Sequence, residues 1–153
     1  MRRGEMLTVK GFVRAQIVDK HGKIVGDSGW KKNTVVNEGF EWYICALLGG
    51  LANSRQVAYM AIGTGTAPGV TDTSLQGETG VRVTTSNSII ASKTLQATCQ
   101  FAGSDLGAAS CAIKNVALAN LLSGGTILCG TTYATSQWAN NQNVNATYQL
   151  RFS

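Results

Sequence analysis

The sequence predicts a mainly β domain: a single-domain antiparallel β-sandwich or jelly-roll-like barrel, with one short helix near residues 38–51. Period-two alternation is the first reason. In 93–101 the residues Leu95, Ala97, Cys99 and Phe101 fall on one face, and in 145–152 Ala146, Tyr148, Leu150 and Phe152 do the same. Such strands bury one face and leave the other free. The second reason is punctuation, because Gly-, Ser- and Asn-rich turns separate short β-branched runs along most of the chain. The third is that a single stretch carries helical spacing. With 153 residues, no internal repeat and no linker, one domain spanning 1–153 is expected. That length suffices to bury roughly two-thirds of the unfolded surface.

From the N-terminus, residues 7–18 are rich in β-branched side chains and alternate from Val13 to Ile17. Asp19-Lys20-His21-Gly22 reads as a turn, with Lys23-Ile24-Val25-Gly26 returning as its hairpin partner. Asn37 is placed to cap the helix and Glu38 to favour its first turn. Phe40, Ile44, Leu47, Leu48 and Leu51 then recur as a core-facing stripe, which Gly49-Gly50 interrupts. Beyond it, 57–62, 81–86, 88–91, 93–101, 112–118, 126–133 and 144–152 read as strands. Between the first two, Gly63, Gly65, Pro68, Gly69 and Gly77 dictate a long turn. No Lys-Ser or Lys-Thr follows those glycines, so the turn is not a phosphate loop.

Catalytic patterns are scarce. The one histidine, His21, sits in the predicted hairpin turn, and no Gly-x-Ser-x-Gly elbow exists to make it a triad base. Glu38 and Glu41 are three apart, near one helix face, where their charge favours the positive helix end more simply than it serves glycosidic chemistry. Asp72 and Glu78 flank the long turn without calcium-loop spacing. Cys45, Cys99, Cys111 and Cys129 match no zinc or Cys-x-x-Cys spacing, and their apolar surroundings suit buried free thiols. The expectation is a chain that is no enzyme and holds no cofactor or metal.

Composition narrows the class further. Charged residues make up 14% of the chain, against ~25% in ordinary soluble domains. A surface so poor in charge suits packing against copies of itself or a larger assembly. The net charge of +5 resides in residues 1–32, where Arg2, Arg3, Lys10, Arg14, Lys20, Lys23, Lys31 and Lys32 face only Glu5, Asp19 and Asp27. A basic N-terminal strand or arm docks on an acidic protein surface or on nucleic acid. Only Phe12 and Trp30 interleave with these charges, too few for a base-stacking face, so nucleic acid is the poorer partner. Solvated lysines protecting an exposed strand edge are the plain structural explanation. No stretch reads as a signal peptide or membrane span. Among the aromatics, Trp138 lies in the polar run 136–142 and reads as exposed, suited to a neighbouring subunit more than to a sugar. Trp42 falls within the predicted helix, while Trp30 and Tyr133 complete the aromatic set a sugar platform would need.

One ordered set of motifs carries a resemblance. Ala61-Ile62-Gly63-Thr64-Gly65-Thr66-Ala67-Pro68, followed by Asp72-Thr73-Ser74-Leu75-Gln76-Gly77-Glu78 and Arg82, resembles the "AIGTGTTAP…DTALGxE…R" segment of small structural proteins of tailed bacteriophages. Asn33-Thr34-Val35-Val36-Asn37-Glu38-Gly39 is similar to their "N-x-V-x-x-x-G" opening of a short helix. The run from Ala112 to Asn120, with Lys114 where a glutamate is frequent and Ala117 where a glycine is, resembles "I-x-E-V-G-L-F-(N/D)-A". Ser123-Gly124-Gly125-Thr126-Ile127-Leu128 resembles "S-G-G-T-M-L", and 145–153 resembles their terminal strand. The similarity covers roughly residues 30–153.

The resemblance implies a non-enzymatic virion protein that decorates or cements a capsid by bridging its subunits. Its partners would be the major capsid protein or other virion proteins, and it would act as a homo-oligomer, a trimer among the forms expected. A tail-tip or fibre protein that binds a receptor, and a filament subunit that adds its N-terminal strand to a neighbour, are the other expectations. On the cementing reading Arg2, Arg3, Lys10 and Arg14 dock on the capsid. Thr64, Thr66, Pro68, Asp72 and Glu78 of the long turn, with Trp138, then form contacts between copies.

Overall fold

The computed structural model describes residues 8–39, 43, 56–91 and 93–152, without the side chains of residues 38 and 133–136. Eleven strands are present among them: β1 (Val9–Val18), β2 (Ile24–Asp27), β3 (Lys31–Lys32), β4 (Thr34–Val35), β5 (Tyr59–Gly63), β6 (Glu78–Thr84), β7 (Ser86–Ala91), β8 (Thr94–Phe101), β9 (Ser110–Ala119), β10 (Ile127–Ala139) and β11 (Asn143–Phe152). They form two antiparallel sheets. Sheet I has the order β2-β1-β11-β8-β7, with β3 also pairing β1, and sheet II has the order β4-β10-β9-β5-β6. The β-sandwich expected from the sequence is therefore what forms.

Sheet I follows its alternation strictly. Along β1 the buried residues are Gly11, Val13, Ala15 and Ile17, opposite Leu150, Tyr148, Ala146 and Val144 of β11. Tyr148, Ala146 and Val144 pair in turn with Ala97, Cys99 and Phe101 of β8. Each such row presents its apolar side chains to sheet II and its polar ones to solvent. Val13, Phe101, Ile113, Trp138, Val144 and Tyr148 all belong to the resulting core. Asp19 closes the β1–β2 turn by accepting from the backbone N–H groups of His21 (2.8 Å) and Lys23 (2.9 Å), which leaves His21 exposed.

Sheet II breaks the alternation because both of its faces are covered. From Asn115 to Ala119 every residue of β9 is buried. Val116 and Leu118 point into the main core. Ala117 and Ala119, on the other face, form a second cluster with Val36, Ala61, Leu75 and Ile127. The loop between β5 and β6 supplies Leu75 to that cluster, and the alanines beneath it leave the room it needs.

The chain bridges both sides of the sandwich. On one side it passes from β3 to β4 through Asn33, whose N–H donates to Gly11 O (2.8 Å) and whose Nδ2 donates to the Tyr148 hydroxyl. Thr131 Oγ1 donates to Lys32 O (2.9 Å) at the same corner. On the other side β6 runs into β7 through Thr85, whose N–H donates to Ala58 O (2.9 Å), while Asn87 Nδ2 donates to Val57 O (2.9 Å).

Three features differ from expectation or lie beyond it. β6 begins at Glu78, well before residue 81, because Glu78 and Thr79 pair with Gly63 and Ile62 of β5. β10 continues to Ala139, so most of the predicted polar loop at 136–142 is strand and Trp138 is not an exposed contact residue. Its ring is fully buried against Phe101 in an edge-to-face pair (6.3 Å, 71°), and its Nε1 donates to Gln142 O (2.8 Å). Burying so large an apolar ring outweighs the polar character of its neighbours in sequence. Of the predicted helix, Asn37–Gly39 is helical. Phe40, Trp42, Ile44, Cys45, Leu47, Leu48 and Leu51 lie outside the described residues. Tyr43 is buried and its hydroxyl donates to Thr126 O. A Cβ at Gly39 would run into the Leu128 carbonyl, so the helix start lies directly on β10.

Candidate functional site

The outer face of sheet I is built from β1, β11 and β8. Lys10, Phe12, Arg14 and Gln16 of β1 stand opposite Arg151, Gln149, Thr147 and Asn145 of β11. The same rows continue through Thr94, Gln96, Thr98 and Gln100 of β8. Amide and guanidinium groups knit this face laterally. Gln149 Nε2 donates to Gln96 Oε1 (3.0 Å), and Gln100 Nε2 to Asn145 Oδ1 (2.8 Å). Arg151 donates to Gln149 Oε1 from Nε (3.2 Å) and Nη2 (2.7 Å), with its guanidinium carbon 4.2 Å from the centroid of the Phe12 ring. That stacking contributes ~0.5–1 kcal/mol at an exposed site and holds the cation flat on the sheet.

The electrostatics of the face are one-sided. Lys10 and Arg151 are directly opposite across the β1–β11 ladder, and like charges in that position repel. Arg14 differs, since its Nε and Nη2 grip both oxygens of Asp27 (3.0 and 2.5 Å). The hydrogen bond from Arg14, together with the Gly29 N–H, holds the Asp27 carboxyl well below the usual carboxylate range, and Asp27 in turn raises Arg14. Among the described residues of this face, Lys10 and Arg151, with Lys32 of β3 opposite Phe12, thus carry the uncompensated positive charge. Arg2 and Arg3 lie outside the described residues.

The second region is the 64–77 loop over the outer face of sheet II. Asn115, fully buried on β9, anchors it by donating from Nδ2 to Thr66 O (3.0 Å) and Gln76 O (2.8 Å). Pro68 is buried, with its ring packed where a Cβ on Gly130 would otherwise sit. A Cβ on Gly65 would collide with the Gln76 carbonyl, so the two arms of the loop approach as closely as backbones can. Asp72 accepts from the Gly69 N–H (2.9 Å), and Thr66 Oγ1 meets Gln76 Oε1 (2.9 Å). Glu78 grips Arg82, which also donates to Leu121 O (2.8 Å) and Gly124 O (2.7 Å).

Of the residues predicted to join copies, Thr64 and Thr66 on this loop and Glu78 at the start of β6 are exposed, while Pro68 and Trp138 face inward. Asp72 is half-buried and occupied by its own turn. The separate sequence motifs meet here: Arg82 joins the Glu78 segment to Gly124, and Thr73 O accepts from Ile127 N–H (3.1 Å). Sequence reasoning missed Asn115 and the partnership of Arg151 with Lys10, because both depend on pairings between distant segments.

Every carboxylate whose side chain is described is engaged within the fold. Asp19 and Asp72 close turns, Asp27 holds Arg14, Glu78 holds Arg82, and Asp105 accepts from the Ala102 N–H (2.9 Å). Cys99, Cys111 and Cys129 carry free thiols. Among the described residues no group of three or more His, Cys, Asp or Glu is arranged to hold a metal, and no helix is long and apolar enough to cross a membrane. No protein-family profile, curated protein sequence or solved structure matches this chain.

Proposed function

We propose that this chain is a non-enzymatic structural protein of a tailed-bacteriophage virion, most simply one that decorates and cements the capsid exterior. The observation that carries this reading is the outer face of sheet I, continuous across β1, β11 and β8, rich in amides, and cationic at Lys10, Lys32 and Arg151. Such a face fits an acidic protein surface, with Arg2 and Arg3 as further docking residues, while Arg14 is held by Asp27 within the fold. Binding the assembled shell and not its separated subunits would stabilise it by mass action. The ordered motif resemblance supplies the virion context. Burial of Trp138 removes it both as a contact between copies and as part of a sugar-binding aromatic set.

The test has two parts. Quantitative mass spectrometry of purified particles should find this chain near one copy per major shell subunit, whereas a few copies per hundred would move it to the tail. The double variant Lys10→Glu/Arg151→Glu should bind shells lacking the protein at least about tenfold more weakly, with wild-type binding falling as salt rises. Unchanged binding by that variant would refute the docking face.

A further inference from the structure

Sheet I has two edges, and they are finished differently. The β2–β3 edge consists of two short strands with a register shift between Ile17 and Val18 of their partner, and Lys20, Lys23, Lys31 and Lys32 lie along or beside it. Short strands, irregularity and lysines are the ordinary means of keeping an edge from pairing with another chain. The β7 edge has little of this. Its six residues, Ser86-Asn87-Ser88-Ile89-Ile90-Ala91, are all exposed and include no charge, and Lys93 in the turn to β8 is the single lysine beside it among the described residues. Ile89 is 81% exposed and Ile90 48%. The one irregularity, between Ile89 and Ala91, falls at the end of the strand and leaves Ser86–Ile89 in regular register with β8.

We propose that β7 is a self-association edge, pairing antiparallel with β7 of a second copy about a two-fold axis through the middle of the strand. The strand directions select this arrangement. Every pairing in sheet I is antiparallel, and the order β2-β1-β11-β8-β7 makes β7 and β2 run the same way. A head-to-tail contact of β7 with β2 would thus be parallel, and it would meet the lysine-guarded edge. A two-fold contact of β7 with itself continues the antiparallel pattern and brings together only uncharged residues. It satisfies main-chain donors and acceptors that an edge strand otherwise leaves to water, and it covers Ile89 and Ile90 from both copies. A C2 contact of this kind closes after two copies, because each uses the same patch. The contact is a single pair of six-residue strands, so a weak, reversible dimer is expected, as for interfaces below about 1,200 Å². This inference goes beyond the virion reading and does not depend on it.

Sedimentation velocity of the full chain over roughly 1–200 μM, the range such weak interfaces require, tests it. The wild type should shift from monomer towards dimer and stop there. Ile89→Lys/Ile90→Lys, which places like charges across the two-fold, should remain monomeric at every concentration with an unchanged thermal midpoint, since both side chains are outside the core. Ile24→Lys/Val25→Lys on the opposite edge should dimerise as the wild type does. A wild type that stays monomeric, a dimer that survives the β7 substitutions or is lost with the β2 ones, or growth into longer oligomers would each overturn the proposal.

Discussion

Glu78 holds the guanidinium of Arg82 with both carboxylate oxygens, at 2.8 and 3.0 Å, four residues away along β6. Arg82 is 9% exposed and spends its remaining donors on the carbonyls of Leu121 and Gly124. One side chain therefore fastens the β9–β10 hairpin to the edge of sheet II. Arg82→Met should destabilise the fold by ~2–3 kcal/mol, because two carbonyls and a carboxylate lose a charged donor. Hydrogen exchange should show amides in 120–126 losing protection first. Equal protection there in both proteins would show that the hairpin holds itself.

Asn115 plays the equivalent part for the 64–77 loop, with both of its amide protons committed to loop carbonyls. Asn115→Ala leaves Thr66 O and Gln76 O without their donor and should cost ~1–3 kcal/mol in denaturant unfolding. Limited proteolysis should cut within 64–77 faster than in the wild type. An unchanged cleavage rate would mean that Leu75 and Pro68 alone seat the loop.

Acid should weaken the β1–β2 hairpin through Asp27. Its carboxyl is depressed in the folded state by Arg14 and the Gly29 N–H, so its stabilising contribution is complete above the unfolded carboxylate range, near pH ~4. That contribution is lost as the pH falls towards the folded value. Urea midpoints measured from about pH 6 down to about pH 2, a window that brackets the carboxylate titration, should drop less steeply for Asp27→Asn than for the wild type. Parallel curves would assign the acid sensitivity elsewhere. Both partners are partly solvated, which keeps the effect small.

Thiol chemistry should report burial. Desolvation pushes the Cys99 and Cys129 thiols up to about 12, and burial also raises Cys111. At about pH 8 both Cys99 and Cys129 are overwhelmingly protonated, and the thiolate is the reactive form. Mass-resolved alkylation should leave these two unmodified in the native protein and label them once it is unfolded. Rapid native labelling of Cys129 would contradict its fully buried place beside Tyr148 and Asn33.

The legible parts of the fold were those whose pattern is local. The alternation of 93–101 and 145–152 placed Leu95, Ala97, Cys99, Phe101, Ala146, Tyr148 and Leu150 on the correct face of sheet I. The turn at Asp19–Gly22 and the long loop after Gly63 were likewise readable from a few residues. Sheet II was less so. The run Val116-Ala117-Leu118-Ala119 announces burial but not that Leu75 arrives from a distant loop to cover its alanines. Trp138 misled because its neighbours are polar, and the partner that buries it, Phe101, is far away in sequence. The candidate docking face shows the same limit. Lys10 and Arg14 were visible as a basic strand, yet Arg151 joins them only through the β1–β11 register, and Asp27 neutralises Arg14 only because β2 folds back.

That β1–β11 pairing, which joins Val9 to Phe152 and Val18 to Asn143, has a kinetic meaning. The central ladder of sheet I cannot zip until nearly the whole intervening chain has been made and arranged. Contacts so distant in sequence raise contact order and slow folding. The local hairpins β7–β8 and β9–β10 can form on their own, whereas β1 must wait with its apolar face unsatisfied for β11 to arrive. Docking of β11 between β1 and β8 completes the central ladder, and the surface that Lys10 and Arg151 share exists only after it.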